Sequence, residues 1–102
     1  MICVIATIEL EPGVRDDYLE EFHKLVPRVR AEEGCLDYGP YVDLDSGLDP
    51  QISLRQNTVT IVEKWRDLEA LRQHLKMPHM DEYHDAVEDY VKGVELQVLD
   101  PA

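Results

Sequence analysis

The first and third predicted strands of this chain are apolar on both of their faces. Residues 2–10 are apolar with few interruptions and rich in β-branched side chains, and residues 58–65 repeat the pattern. A strand sends alternate side chains to opposite faces of its sheet, so a strand with one solvated face shows polar residues at every second position. Both faces of this sheet therefore need a cover, and that need constrains the fold more than any other feature of the sequence.

The rest of the chain supplies helices and two more strands. An apolar period of three to four predicts a helix from residue 14, which Pro27 should kink and Gly34 should end. Strands are predicted at residues 35–42 and 94–99. The apolar members of that first helix are Tyr18, Phe22, Leu25 and Val29.

A proline divides the second helical region. Asp67 is placed to cap a short helix, and a further helix should start after Pro78 and end at Gly93. The apolar side of the short helix carries Leu68, Leu71 and Leu75. The apolar side of the later helix carries Met80, Tyr83, Val87 and Val91.

The element order is β-α-β-β-α-β with the second helix broken, which is the ferredoxin-like α+β pattern with a four-stranded antiparallel sheet. At 102 residues, the whole chain 1–102 is predicted to be a single domain. Helices should cover one face of the sheet, and no element is left for the other. We therefore predict a homodimer, a dimeric α+β barrel whose two sheets face each other, with the polar segment 43–57 long enough to reach the partner.

Composition narrows the choice of partners and compartment. The chain carries 10 basic and 22 acidic residues, a formal net charge of −12, which disfavours nucleic acid and anionic membrane surfaces. The N-terminal apolar run has no basic flank and is too short for a signal peptide or a membrane span. Cys3 and Cys35 lack a CxxC partner, as is usual in a reducing compartment. We expect a cytoplasmic protein.

Three of the four histidines, His74, His79 and His84, lie within eleven residues. Histidine has the unperturbed pKa closest to neutrality and can exchange protons at physiological pH. Helical zinc ligands usually lie four residues apart, whereas these lie five apart, and Pro78 separates the first two. The spacing favours proton transfer or hydrogen bonding to a ligand, and no metal site is expected.

Several short motifs occur in a characteristic order along almost the whole chain: Glu11-Pro12-Gly13, Glu32-Glu33-Gly34-Cys35, Glu63-x-Trp65 and His74-Leu75-x-x-Pro78-His79-Met80. Together they resemble the antibiotic biosynthesis monooxygenase (ABM) family of dimeric α+β barrels, and the quinol monooxygenase type in particular. That resemblance implies an enzyme that needs no flavin, heme or metal. It would deprotonate a small quinol or phenolic aromatic, whose anion then passes an electron to O2.

The resemblance implies that His74 and His79 are the catalytic residues. His79 lies in the first turn after Pro78, where the helix dipole favours a neutral, proton-accepting ring. His84 shares a helix face with apolar residues and is expected in the core. Tyr38 and Tyr41 point to opposite faces of their strand, so at most one should reach a given cavity. The candidate substrate-binding residues are Trp65, Tyr38, Tyr41, Tyr83 and His84.

Other functions stay open at this point. Ile61 stands where polyketide-oxidising relatives carry asparagine, which weakens the case for an anthrone-type substrate. Heme-degrading relatives place their heme ligand where this chain has His84, but they carry a tryptophan at the position of His74. A sugar-phosphate isomerase type has a similar histidine pair, although the acidic charge disfavours a phosphorylated substrate. The remaining alternative is a non-catalytic dimeric barrel that binds a small aromatic.

Overall fold

The strands form one antiparallel sheet with the two apolar strands at its centre. In this computed structural model, which describes all residues from 1 to 102, the strand order is β2-β3-β1-β4. The ferredoxin-like α+β fold predicted from the element order is confirmed. The strands are β1 (Ile2–Leu10), β2 (Cys35–Tyr41), β3 (Thr58–Trp65) and β4 (Val91–Leu99).

The helices are α1 (Arg15–Arg30), α2 (Leu68–His74) and α3 (Pro78–Val87). The cap predicted at Asp67 is present, since its Oδ1 accepts the backbone N–H of Ala70 at 2.9 Å. The predicted break in the second helical region is also confirmed, with Pro78 in the first turn of α3. None of the helices is long and apolar enough to cross a membrane.

The core lies between the helices and one face of the sheet, as predicted. Alternate residues of β1 and β3 are buried on this face, and α1 covers them with its apolar side. The strand residues are Val4, Ala6, Ile8, Leu10, Val59, Ile61, Glu63 and Trp65, and those of α1 include Tyr18, Phe22, Leu25 and Val29.

The other face of the sheet is less apolar than predicted. Ile5 lies opposite Val62 there, but the neighbouring pairs are Thr7 with Thr60 and Cys3 with Lys64. The prediction of two apolar faces is therefore wrong in part, because Trp65 has the same strand parity as the buried residues of β3 and belongs to the helix side.

Exposed apolar surface occurs instead on the edge strand β4. Its residues Val94, Leu96 and Val98 pair with core residues of β1, yet they are 56%, 55% and 50% exposed. No helix packs extensively against this strand. The face of the sheet that carries the core is therefore exposed to solvent at β4.

The start of β4 corrects the predicted end of the last helix. Helix α3 ends at Val87, and Val91 and Gly93 already pair with Leu10 and Glu9 of β1. The helical period extended to Val91 in the sequence, but pairing with β1 gives the backbone of this segment its hydrogen-bond partners.

The segment between β2 and β3 contains no helix or strand, in agreement with the predicted long polar connection. Arg55 ties its two ends together, with Nη2 2.8 Å from Oδ1 of Asp43 and Nε 2.9 Å from Oδ2. Several apolar side chains of the segment are exposed, namely Leu44, Leu48, Ile52 and Leu54.

Gly34 allows the loop after α1 to approach α2 closely. Its φ is +81°, and a Cβ at this position would lie 2.6 Å from the Cβ of Ala70. Both the left-handed backbone and the lack of space therefore require glycine. The contact places α2, which ends at His74, against the loop that carries Glu32.

We predict that Gly34→Ala lowers the free energy of unfolding by about 2–4 kcal/mol, because it combines a left-handed backbone with overlap against Ala70. Gly13→Ala is the matched control, since Gly13 has φ +80° but no neighbour within 4 Å. It should cost only about 1 kcal/mol. Denaturant titration of both variants measures the difference, and equal losses would show that the approach to Ala70 is unimportant.

Candidate active site

A cavity of about 220 Å³ lies between α3 and the helix-side face of the sheet. Most of its lining is apolar, and no lysine or arginine contributes to it. Val94 and Leu96 of β4 border it and are more than half exposed, so its mouth lies at this edge of the sheet. The polar residues in its lining are Tyr38, Glu63, His74, Tyr83, His84 and Glu88.

The carboxylate of Glu32 lies between two histidine rings. Its Oε2 is 3.0 Å from Nδ1 of His74 and 2.7 Å from Nε2 of His79. The three residues come from the loop after α1, the last residue of α2 and the first turn of α3. An ionised carboxylate only accepts hydrogen bonds, so Nδ1 of His74 donates to it. Nε2 of His74 is then the unprotonated nitrogen.

His74 borders the cavity and is only 2% exposed. Its ring packs against Trp65, with ring centroids 4.7 Å apart, and against the edge of Tyr38. Its Nε2 has no hydrogen-bond partner in the protein. Burial lowers the pKa of His74, while the hydrogen bond to Glu32 acts in the opposite direction. The ring is therefore neutral at neutral pH.

His79 lies outside the cavity. Its side chain is 12% exposed and borders a separate groove between α1 and α3, beside Lys24 and Arg28. The two histidines predicted to act together are thus joined only through Glu32. No group of three or more histidine, cysteine or carboxylate side chains is arranged to hold a metal ion.

Glu63 is a second buried carboxyl group, and it lies in the cavity wall. It is 5% exposed, and its Oε1 accepts the indole N–H of Trp65 at 2.9 Å. Burial raises the pKa of Glu63 to about 7; the bond from Trp65 opposes this, and the charge of Glu32 adds to it. Glu63 was not among the site residues predicted from the sequence. Its signal was a charged residue at a core-facing position of β3, between Ile61 and Trp65.

The structure separates the predicted aromatic residues. Tyr38 is buried and lines the cavity, whereas Tyr41 is 55% exposed on the opposite side of β2, as the strand alternation predicted. Tyr83 also lines the cavity, and its hydroxyl is hydrogen-bonded to that of Tyr18. Trp65 does not reach the cavity wall and instead supports His74 and Glu63 from behind.

His84 occupies the rim of the cavity and not the core. The side chain is exposed, although it contributes to the lining. The expectation of a buried histidine is wrong. At this turn of α3 the cavity separates the helix from the sheet, so the side of the helix that carries His84 does not pack against the sheet.

The family model described as antibiotic biosynthesis monooxygenase matches residues 1–86. The chain belongs to this family. The match includes Glu32 and every polar residue of the cavity wall except Glu88. The family resemblance drawn from the ordered motifs is therefore confirmed.

Relatives within the family match over nearly full length. The protein named "Probable quinol monooxygenase YgiN" of Escherichia coli (strain K12) is 38% identical over 103 residues, which cover 99% of this chain and 98% of that protein. The crystal structure of PA3566 from Pseudomonas aeruginosa is 28% identical with a TM-score of 0.80, covering 99% of this chain and 93% of the other. Rv0793 from Mycobacterium tuberculosis is 25% identical with a TM-score of 0.79, covering 99% and 94%.

We predict that Glu63 makes stability depend on pH. A folded-state pKa of about 7, against 4.5 for an ordinary glutamate, stabilises the fold below pH 4.5, and that stabilisation is lost as pH rises through 7. The free energy of unfolding should therefore fall by roughly 3 kcal/mol relative to Glu63→Gln across this range. Denaturant titrations at several pH values measure it, with the exposed Glu20→Gln as control. Parallel profiles for the parent and Glu63→Gln would contradict the assignment.

Proposed function

We propose that the protein is a cofactor-independent monooxygenase that oxidises a small quinol or related phenolic aromatic with O2. One observation supports this most: His74 lines a largely apolar cavity, its Nδ1 is bound to Glu32, and its Nε2 has no hydrogen-bond partner in the protein. The name of the Escherichia coli relative supports the same substrate class.

In this proposal His74 is the general base. Nε2 takes the proton of a substrate hydroxyl, and the hydrogen bond from Nδ1 to Glu32 fixes the tautomer and stabilises the imidazolium that forms. His79 holds the same carboxylate from the groove side and acts as a positioning residue. Of the two histidines implied by the family resemblance, His74 is therefore assigned the proton transfer and His79 the support.

The substrate anion supplies the electrons. One electron passes from the anion to O2, and the resulting radical pair combines to form a carbon–oxygen bond. One oxygen atom stays bonded to a ring carbon and the other leaves as water, so that a hydroquinone gives a hydroxyquinone and no external reductant is consumed. The apolar wall excludes water and makes the anion a stronger reductant than it would be in solution.

The dimensions of the cavity suit one aromatic ring. A cavity of about 150 Å³ in another protein binds benzene, so 220 Å³ leaves room for a ring with small substituents. The sugar-phosphate isomerase alternative has less support, because no lysine or arginine in the wall could neutralise a phosphate.

We expect His74→Asn to lower the rate of quinol-dependent oxygen uptake by roughly 10²–10⁴-fold. Asparagine can still donate a hydrogen bond to Glu32 from near the position of Nδ1, but it has no base at the position of Nε2. The assay uses protein with no added cofactor, and thermal melting confirms that the variant is folded. His23→Asn, the same change at an exposed helix position, is the control.

Oxygen uptake at the parent rate by His74→Asn would contradict the catalytic role. A parent protein that binds a small aromatic without oxidising any quinol would instead favour the non-catalytic binding barrel.

We also propose that the protein is a homodimer whose second copy covers β4. The apolar strip Val94, Leu96 and Val98 continues the core face of the sheet, and exposed apolar patches of this kind mark protein interfaces. The exposed leucines of the segment between β2 and β3 offer further apolar contact area. Because the cavity opens beside Val94 and Leu96, a copy in this position would also shield the reacting anion from water.

Sedimentation equilibrium at micromolar concentration tests the dimer. We expect the parent to sediment at twice the chain mass and Val98→Lys to shift toward monomer, because a charge in the apolar strip loses its hydration on association. Leu36→Lys is the control, since Leu36 is also an exposed apolar residue, 58% exposed, but lies on the opposite edge strand β2. A stable monomeric parent would contradict the proposal.

A further inference from the structure

Glu63 is the only buried carboxyl residue in the cavity wall, and one of its two oxygens is free. Oε1 is bound to the indole N–H of Trp65, while Oε2 has no partner in the protein. Every inaccessible side-chain nitrogen or oxygen in the structure has a hydrogen-bond partner. Because Oε2 has no partner, it must be accessible. Because Glu63 is 5% exposed overall, the cavity is where that access lies.

No lysine or arginine lies beside Glu63 in the cavity wall. The only other carboxyl group in the wall is that of Glu88, which is exposed at the rim, and no lysine or arginine contributes. Two histidines contribute to the wall: His74 is neutral at neutral pH because burial lowers its pKa, and His84 is exposed at the rim. A second negative charge brought into this space would face a carboxylate across an apolar medium that screens it weakly.

We propose that Glu63 sets the specificity of the cavity, by binding a hydroxyl of an uncharged aromatic ligand and rejecting aromatic ligands that carry a carboxylate or another anionic group. A hydroxyl donates to Oε2, whereas an anion has nothing to donate and meets like charge. The inference rests on the proposed function only in taking the cavity as the ligand site. It assigns to Glu63 the choice of ligand and to His74 the chemistry.

A pair of ligands that differ in one group tests this inference. Methylhydroquinone and 2,5-dihydroxybenzoate share the hydroquinone ring, and the second carries a carboxylate in place of the methyl group. Binding is followed without O2 through the fluorescence of Trp65, the single tryptophan of the chain, which lies against both Glu63 and His74. We expect the parent to bind the methyl compound at least about tenfold more tightly.

Glu63→Gln should reduce this preference to about threefold or less, because the amide removes the charge and keeps an oxygen for the indole N–H of Trp65. Glu88→Gln removes a carboxyl group at the rim and should leave the preference unchanged. In the parent itself, the preference should be larger one pH unit above the Glu63 pKa of about 7 than one unit below it. This comparison needs no variant and holds even if Glu63→Gln unfolds.

Equal binding of the two ligands by the parent, binding of neither, or an unchanged preference in Glu63→Gln would each overturn the inference. The proposed function can fail separately, because these measurements exclude O2. A protein that selects the uncharged ring but never consumes oxygen keeps the specificity role of Glu63 and loses the monooxygenase.

Discussion

The hydrogen bonds of Glu32 hold the candidate site together. A single buried carboxylate connects the loop after α1 with the end of α2 and the start of α3. Loss of one hydrogen-bond partner from a buried polar group commonly costs about 1–3 kcal/mol, and more when that group is charged. The close contact of Gly34 with Ala70 places α2 where this bond can form. The orientation of His74, and with it the basic nitrogen in the cavity, follows from these contacts.

The cavity exists because the sheet is wider than its helical cover. β4 extends the core face beyond α3, which leaves space over Ala6 and Ile61 that apolar packing does not fill. Buried carboxyl groups at Glu32 and Glu63 are costly, and a core built for stability alone would not contain them. Glu63 lies in the wall of the apolar cavity, and Glu32 is bound to His74, which also lines it. Buried carboxyl groups in such an arrangement are typical of a functional site.

Much of the fold was predictable from the sequence, because periodicity and capping residues such as Asp67 act locally. The side of the sheet on which Trp65 lies and the burial of Glu63 could also have been predicted, because both residues fall on the same alternate positions of β3 as Val59 and Ile61. Glu32 was not, because its partners lie 42 and 47 positions away and nothing local distinguishes it from the exposed Glu33. The exposure of His84 depends on how far α3 stands from β4, which helical periodicity does not determine.

The central claim is that Glu32 holds His74 as the Nδ1–H tautomer, with Nε2 free to accept a proton in the cavity. Long-range ¹H–¹⁵N correlation spectra of the histidine rings at neutral pH measure this directly, and His74→Asn identifies the signals. We predict a neutral ring with hydrogen on Nδ1 in the parent, and loss of that fixed tautomer in Glu32→Gln. A ring with hydrogen on Nε2 in the parent would contradict the account, because Nε2 could then not act as the base.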